Sequence, residues 1–334
     1  MLSLYNVIII MIDGGRYDRS IKSDFYKKLK EKSSFFSQPI TYAPHTIAAM
    51  HAVFSGCYGI RTGTDSYWST YKFKKNQFKT ITEYLHDQNY YTSADIVSEI
   101  VIPKQGFDEF QIHDEQKDDL TLRHLELIEK TYTNNKTKNF FLYLQLSSIH
   151  TGISNEVLQV YDNFSEEYFQ NKKLNKKRYD ELFKKSEFYL DKILEKINSL
   201  GLEKNSVILV MSDHGISVGE KIGERAYGTF CYDYTLRTFA YFIIPGFGPL
   251  EISQQVRTVD FMPSILELLH ISLDKNYSKL DGESLLPLIK GQNVSENIAY
   301  SETGNPLEEK KPPKTPNTKS IRTSKWKLII NEYN

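Results

Sequence analysis

Asp13, Thr46, His150, Asp213 and His214 carry the side chains best suited to chemistry in this sequence, and each ends or opens a regular element. Ser212-Asp213-His214-Gly215 follows directly on the apolar run Ser206–Met211. The chain begins with a near copy: the apolar run Asn6–Ile12 ends in Asp13-Gly14-Gly15. Two carboxylates and an imidazole form a donor set for one divalent cation of the Mn, Mg, Ca or Zn type. Thr46 follows Pro44 at or near a helix N-terminus, where free backbone N–H groups and the helix dipole favour an anion. A cation-bound Thr hydroxyl can ionise and attack a phosphorus or sulfur centre. His150 ends the run Phe140–Leu146, and Lys221 and Arg225 lie just past the Asp-His pair, within reach of an anion. Singly, each residue has an ordinary structural explanation, such as a helix cap for Thr46. Their recurrence at successive strand ends points to a site.

Those strand ends must share one sheet edge. Strand-like and helix-like patterns alternate along the chain, which predicts an α/β fold with a mostly parallel central sheet sandwiched by helices. Continuous apolar runs such as Asn6–Ile12, Phe140–Leu146 and Ser206–Met211 read as strands buried on both faces. Tyr91–Ile96 and Phe239–Ile244 read as further strands. Helices are expected at Ser20–Lys32, Thr46–Phe54, Thr80–Asp87, Asp119–Tyr132, Lys177–Leu200 and Asp260–Leu269. In open sheets of this kind, ligands bind outside the carboxyl ends of the strands. Residues 1–295 are read as one catalytic domain. The remainder, 296–334, reads as a linker and part of a small C-terminal β unit starting near Ile321.

Bulk properties narrow the partners. The 334 residues carry no net charge, so neither nucleic acid nor an anionic membrane is favoured. No apolar run reaches the roughly 18–20 residues of a membrane span. Strand-like sequence starts by Tyr5, which leaves no room for a signal peptide and predicts a cytoplasmic protein. Cys57 and Cys231 do not make a disulfide framework. Aromatic residues cluster in two loop regions (Tyr67, Trp68, Tyr71; Tyr161, Phe164, Tyr168, Phe169), where a sugar or base would stack or a lid would pack.

The motifs together resemble the alkaline-phosphatase superfamily, in its sulfatase-like branch. Asn6–Asp18 resembles the opening strand with the first metal aspartate, and Ala43–Gly63 the nucleophile helix with the segment that follows. Gly106–Phe110 is similar to the Gly-Phe-Asp element, and Val207–Glu220 to the second metal strand. Asp281–Leu288 and Ile321–Leu328 match late landmarks. The resemblance implies a metal-dependent ester hydrolase or transferase with Asp13, Thr46, Asp213 and His214 on one cation. His150 matches a substrate-binding histidine, and Arg237 an arginine after a Tyr-Glu-Glu-like stretch.

Departures refine the subtype. Thr46 occupies the place of the sulfatase Cys or Ser that becomes formylglycine, and Met50 the place of the motif's arginine, so no formylglycine is expected. Cys57-Tyr58-Gly59-Ile60-Arg61 keeps the Cys-to-Arg spacing but carries Gly59 at the Pro position and lies one helix too late. Gly14 replaces the second aspartate of the sulfatase pair, and of the Gly-Lys-Trp-His segment only a displaced Lys104 is present. His270, the one later histidine, is expected in the core, which argues against a second zinc. A threonine with acid, Asp and His resembles the single-metal phospho-branch, the lipoteichoic acid synthases and phosphoethanolamine transferases. The resulting expectation is phosphate-ester chemistry through Thr46 on a small-molecule or glycan- or lipid-linked anionic ester. The alternatives are a sulfate-ester hydrolase without formylglycine and a non-catalytic binding protein.

Overall fold

A computed structural model describes residues 5–66, 69, 72–155, 166–222, 224, 226–304 and 315–332. The strands are β1 (Asn6–Ile12), β2 (Ser34–Phe36), β3 (Pro39–Ile40), β4 (Tyr91–Ile96), β5 (Glu109–Ile112), β6 (Phe140–Leu146) and β7 (Ser206–Ser212). They continue with β8 (Ala240–Ile243), β9 (Leu250–Ile252), β10 (Val256–Arg257), β11 (Ala299–Thr303), β12 (Thr318–Arg322) and β13 (Lys327–Asn331). Among the described residues the main sheet runs β5-β4-β6-β1-β7-β8-β2-β9. Pairing is parallel from β5 through to β7; only β8 runs against its neighbours. The expected mostly parallel sheet is present.

Period-two alternation explains the apolar runs. Val7, Ile9 and Met11 of β1 face one core with Leu209 and Met211 of β7, while Ile8, Ile10 and Ile12 face the other with Ile208 and Val210. The first core is closed by Met50 and Phe54 of the Thr46–Ser55 helix and by Ile265 and Leu266 of the Phe261–Leu268 helix. The second is closed by Leu127 and Ile128 of the Leu120–Asn134 helix and by Leu190 and Ile193 of the Lys172–Ser199 helix. Because both faces are covered, the strands cannot slip by one residue without turning side chains to the wrong layer. Ile12 consequently stands level with both Leu146 and Ser212, which brings the ends of β1, β6 and β7 side by side.

Several boundaries differ from expectation. The segment Ser20–Lys32 holds the end of a short helix, Tyr17–Ser20, and a second helix, Asp24–Lys30, whose start is capped by Ser23 Oγ accepting from Tyr26 N. The long helix begins at Lys172 rather than Lys177, and the Asp260 segment opens with one tight turn, Thr258–Asp260. His270 is exposed and not in the core; it adopts φ 58° just past the Phe261–Leu268 helix, a left-handed position of the kind that ends helices. Strands β2, β3, β9 and β10, of two or three residues each, are too short to leave a period in the sequence.

The last strands form an antiparallel sheet, β11-β12-β13. It is fastened to the loop before the Thr46 helix: Ser301 Oγ donates to Thr41 O at 2.7 Å and Glu302 N to Tyr42 O at 3.0 Å. Tyr42 also hydrogen-bonds the Glu302 carboxylate. No helix of the described residues is long and apolar enough to cross a membrane.

Buried Asn6 ties the three central strands together at their starting edge. Its Oδ1 accepts from Phe140 N at 3.0 Å, and its Nδ2 faces Ser206 Oγ at 3.5 Å. Asn6→Ala strands the Phe140 N–H and is expected to cost about 1–3 kcal/mol of unfolding free energy, read from urea denaturation. A change within measurement error would show that water replaces the amide.

Candidate metal and nucleophile site

β1 delivers Asp13 and β7 delivers Asp213 and His214 to adjacent points on the sheet edge, and all three are buried. Asp13 Oδ2 accepts from Gln145 Nε2 at 2.8 Å, which leaves Oδ1 toward the centre of the group. Asp213 Oδ1 accepts from Gly14 N at 3.1 Å and from His214 N at 2.8 Å, while its Oδ2 has no hydrogen-bond partner. His214 Nδ1 lies 2.8 Å from Gly215 O. A carbonyl only accepts, so Nδ1 carries the hydrogen and Nε2 is the nitrogen that faces the carboxylates. That nitrogen is 3.7 Å from Asp13 Oδ1 and 3.5 Å from Asp213 Oδ2.

Thr46 completes the group. It is the first residue of the Thr46–Ser55 helix, with His45 at the cap and no side-chain cap hydrogen bond. Its Oγ1 lies 3.4 Å from Asp13 Oδ1 and 3.3 Å from His214 Nε2. The hydroxyl therefore sits at the positive end of a helix dipole and among three anionic or lone-pair donors. Burial, with His214 adding to it, holds the His45 pKa down at about 3, so this neighbour adds no charge at neutral pH.

The donors fit a divalent cation. Burial and the adjacent Asp13 hold the Asp213 carboxyl up at about 6, against the opposing pull of His214 and its hydrogen-bond donors. Among the described residues no Lys or Arg pairs with either carboxylate, and the buried Asp213 Oδ2 accepts no hydrogen bond, so the group suits a cation. Oxygen and imidazole donors suit Mn, Mg, Ca or Zn alike.

His150 stands beside this group on the short helix Ser148–Ile153, which follows β6. Its Nε2 is 2.7 Å from Tyr227 Oη, and the Tyr227 ring lies 5.3 Å from the His150 ring and 5.4 Å from that of His214. Burial opposes charging of His150, but Glu115 and the carboxylates Asp13 and Asp213 outweigh it and hold the pKa up at about 9. An imidazolium here is suited to an anionic substrate.

Two expected anion ligands are not brought to the group. Arg237 gives its guanidinium to Ser37 O at 3.0 and 2.9 Å and lies 3.9 Å over the Tyr17 ring, a structural engagement that leaves none of its described contacts at the site. Lys221 is exposed, with Nζ 5.4 Å from the Tyr232 ring. Arg225, Tyr67, Trp68, Tyr71, Tyr161 and Phe164 lie outside the described residues. Cys57 is buried beyond the far end of the Thr46 helix, about 15 Å along its axis from Thr46. Gln145 and Tyr227 were missed by sequence reasoning. A glutamine inside the run Phe140–Leu146 was a usable signal, because buried amides need partners. Tyr227 lies in an irregular loop and gave none.

A second His/Asp group, Asp95, His113 and His124, is also buried. Asp95 Oδ1 takes His113 Nδ1 at 2.6 Å, and its Oδ2 takes Arg123. Arg123 already neutralises this carboxylate, which separates it chemically from the Asp13 group.

The sulfatase family matches residues 5–271 of the chain. No curated protein matches it. Among solved structures it is similar to a 2-O GAG sulfatase at 16% identity, TM-score 0.80, over 98% of this chain and 82% of that one. It is similar to Ps i-CgsB in complex with k-i-k-neocarrahexaose at 18% identity, TM-score 0.72, over 98% and 84%. A phosphonate monoester hydrolase from Silicibacter pomeroyi is similar at 14% identity, TM-score 0.72, over 99% and 87%.

Two outcomes follow from the geometry. An unfolded Asp titrates at about 3.9, so the folded cation-free protein holds the Asp213 proton longer and loses stability as pH rises from about 4 through about 6. Thermal melts of chelator-treated protein should show that loss, and added Mn should reverse it above about pH 6 but not in Asp213→Asn. Melting that is indifferent to Mn would refute the site. Gly14 has φ 74°, and a Cβ there would lie 2.5 Å from Ile216 Cδ1. Gly14→Asp should therefore cost about 1–3 kcal/mol in urea denaturation and add no second metal by elemental analysis. With the sheet order, the metal-competent strand ends and the match over residues 5–271, the chain belongs to the sulfatase family, the ester hydrolases of the alkaline-phosphatase superfamily.

Proposed function

We propose that this protein cleaves or transfers phosphate esters through a covalent Thr46 intermediate, with one divalent cation held by Asp13, Thr46, Asp213 and His214. The observation that carries the reading is the Thr46 hydroxyl, which touches both Asp13 Oδ1 and His214 Nε2 at a helix N-terminus. A bound cation supplies Lewis acidity, lowering the hydroxyl pKa and polarising the ester oxygen. Thr46 Oγ1 attacks the phosphorus in line, the bond to the leaving oxygen breaks, and water or an alcohol later resolves the phosphothreonine. The N–H groups of the first helical turn face developing negative charge, and His150 with Tyr227 borders the same space. Asp13 is oriented by Gln145, and Asp213 by the Gly14 and His214 amides, so these carboxylates are held before any ligand arrives.

Phosphorus is favoured over sulfur because a threonine cannot become formylglycine, and Cys57 is buried far from the group. The 2-O GAG sulfatase and the neocarrahexaose complex among the structural neighbours make a sulfate ester the competing reading and support a glycan-linked anionic ester, with a lipid-linked one the other member of the proposed substrate class. Arg237 and Lys221 are left out of the substrate contacts on the geometry above.

Thr46→Ala is expected to lower kcat on a p-nitrophenyl phosphodiester by at least about 10³-fold while the circular dichroism spectrum stays native. Parallel assays with p-nitrophenyl phosphate and p-nitrophenyl sulfate separate the readings. Preference for sulfate, or a Thr46→Ala protein of undiminished rate, would reject the assignment.

A further inference from the structure

His150 is held from three sides. Tyr227 Oη meets Nε2 at 2.7 Å on the side facing His214, as described above. On the opposite side Glu115 Oε2 stands 3.5 Å from Nδ1, an ion-pair distance, and accepts from Thr151 Oγ1 at 2.7 Å. Below it, the segment that carries Glu115 is fixed by His113, two residues earlier. Its Nε2 lies 3.0 Å from Ser147 Oγ at the head of the His150 helix, and its Nδ1 lies 2.6 Å from Asp95 Oδ1. Asp95, His113 and Ser147 are fully or almost fully buried. One short extension of β5 therefore locks the His150 helix at Ser147 and at Thr151, and aims a carboxylate at the imidazole between them.

The result is a continuous chain of groups, Glu115, His150 and Tyr227, that runs from a fixed carboxylate to a tyrosine whose ring lies against His214. We infer that this chain delivers the proton to the leaving oxygen, with Tyr227 as the donor that touches substrate and Glu115 as a positioning residue for His150. The inference rests on the ester-cleaving reading above. As the phosphorus–oxygen bond breaks, its electron pair goes to the leaving oxygen. That oxygen takes the Tyr227 hydroxyl proton, and Tyr227 Oη takes the proton of His150 Nε2. The neutral His150 keeps its Nδ1 proton against the Glu115 carboxylate, which stays ionised throughout. Such a relay is superfluous for a phenolate that leaves readily and decisive for an alkoxide. It therefore names the substrate class: esters of ordinary alcohols, such as a sugar or glycerol hydroxyl.

Tyr227→Phe keeps the ring against His150 and His214 and deletes only the hydroxyl. Glu115→Gln keeps an acceptor for Thr151 and deletes only the charge. Each is assayed in the metal-loaded protein on two phosphodiesters, one with a p-nitrophenol leaving group and one with a methanol leaving group. Both variants should lose about 10²-fold in kcat on the methyl ester and less than about threefold on the p-nitrophenyl ester, with KM little changed. Equal losses on the two substrates, or no loss on the methyl ester, overturn the relay. So does a wild type that cleaves only the p-nitrophenyl ester. A wild type inactive on both overturns the ester reading itself. Nitrogen-15 NMR of His150 reads the pairing apart from turnover: the imidazole nitrogen shifts should change between wild type and Glu115→Gln, and identical spectra overturn the positioning role.

Discussion

Two buried carboxylates at neighbouring strand ends, paired with no Lys or Arg among the described residues, are the constraint around which the rest is arranged. Like charges removed from water repel strongly, and each also loses its hydration. The protein meets this with fixed dipoles rather than with Lys or Arg: two backbone amides on Asp213, the Gln145 amide on Asp13, and the start of a helix at Thr46. These dipoles orient the oxygens without neutralising them. The remaining charge is what a divalent cation would balance, and the parallel register of β1 and β7 makes the two carboxylates meet.

The sequence disclosed the parts of this arrangement that depend on short-range pattern. β1, β6 and most of β7 were legible residue for residue because strands buried on both faces are written as nearly unbroken apolar runs. Asp13, Asp213 and His214 were legible because a polar residue ending such a run has few other places to go. Arg237 misled because a similar motif position does not specify what the guanidinium meets; here the Ser37 carbonyl and the Tyr17 ring satisfy it. Glu115 and Tyr227 stayed hidden for a related reason. They come from loops 112 residues apart in the chain and converge only because the His150 helix is seated between them.

The two polar groups at the strand ends divide between charge and shape. The Asp13 group brings two carboxylates together and leaves the buried Asp213 Oδ2 without a hydrogen bond. The Asp95 group is balanced internally by Arg123 and finishes in Ser147, so it stiffens rather than binds. A rigid base beneath His150 matters because proton transfer falls off steeply with donor distance, and a short helix such as Ser148–Ile153 has little stiffness of its own.

The fastening of β11 to the loop at Thr41 and Tyr42 has a consequence for how the molecule comes into being. Residues 299–303 and 318–322 are translated long after the Thr46 helix. Until they arrive, the backbone carbonyls of Thr41 and Tyr42 lack their partners and the loop leading to Thr46 is unclamped. The loop that leads to Thr46 is therefore clamped only after the C-terminal strands have been made, so a partly made polypeptide carries the Asp13 and Asp213 strand ends before the approach to Thr46 is fixed.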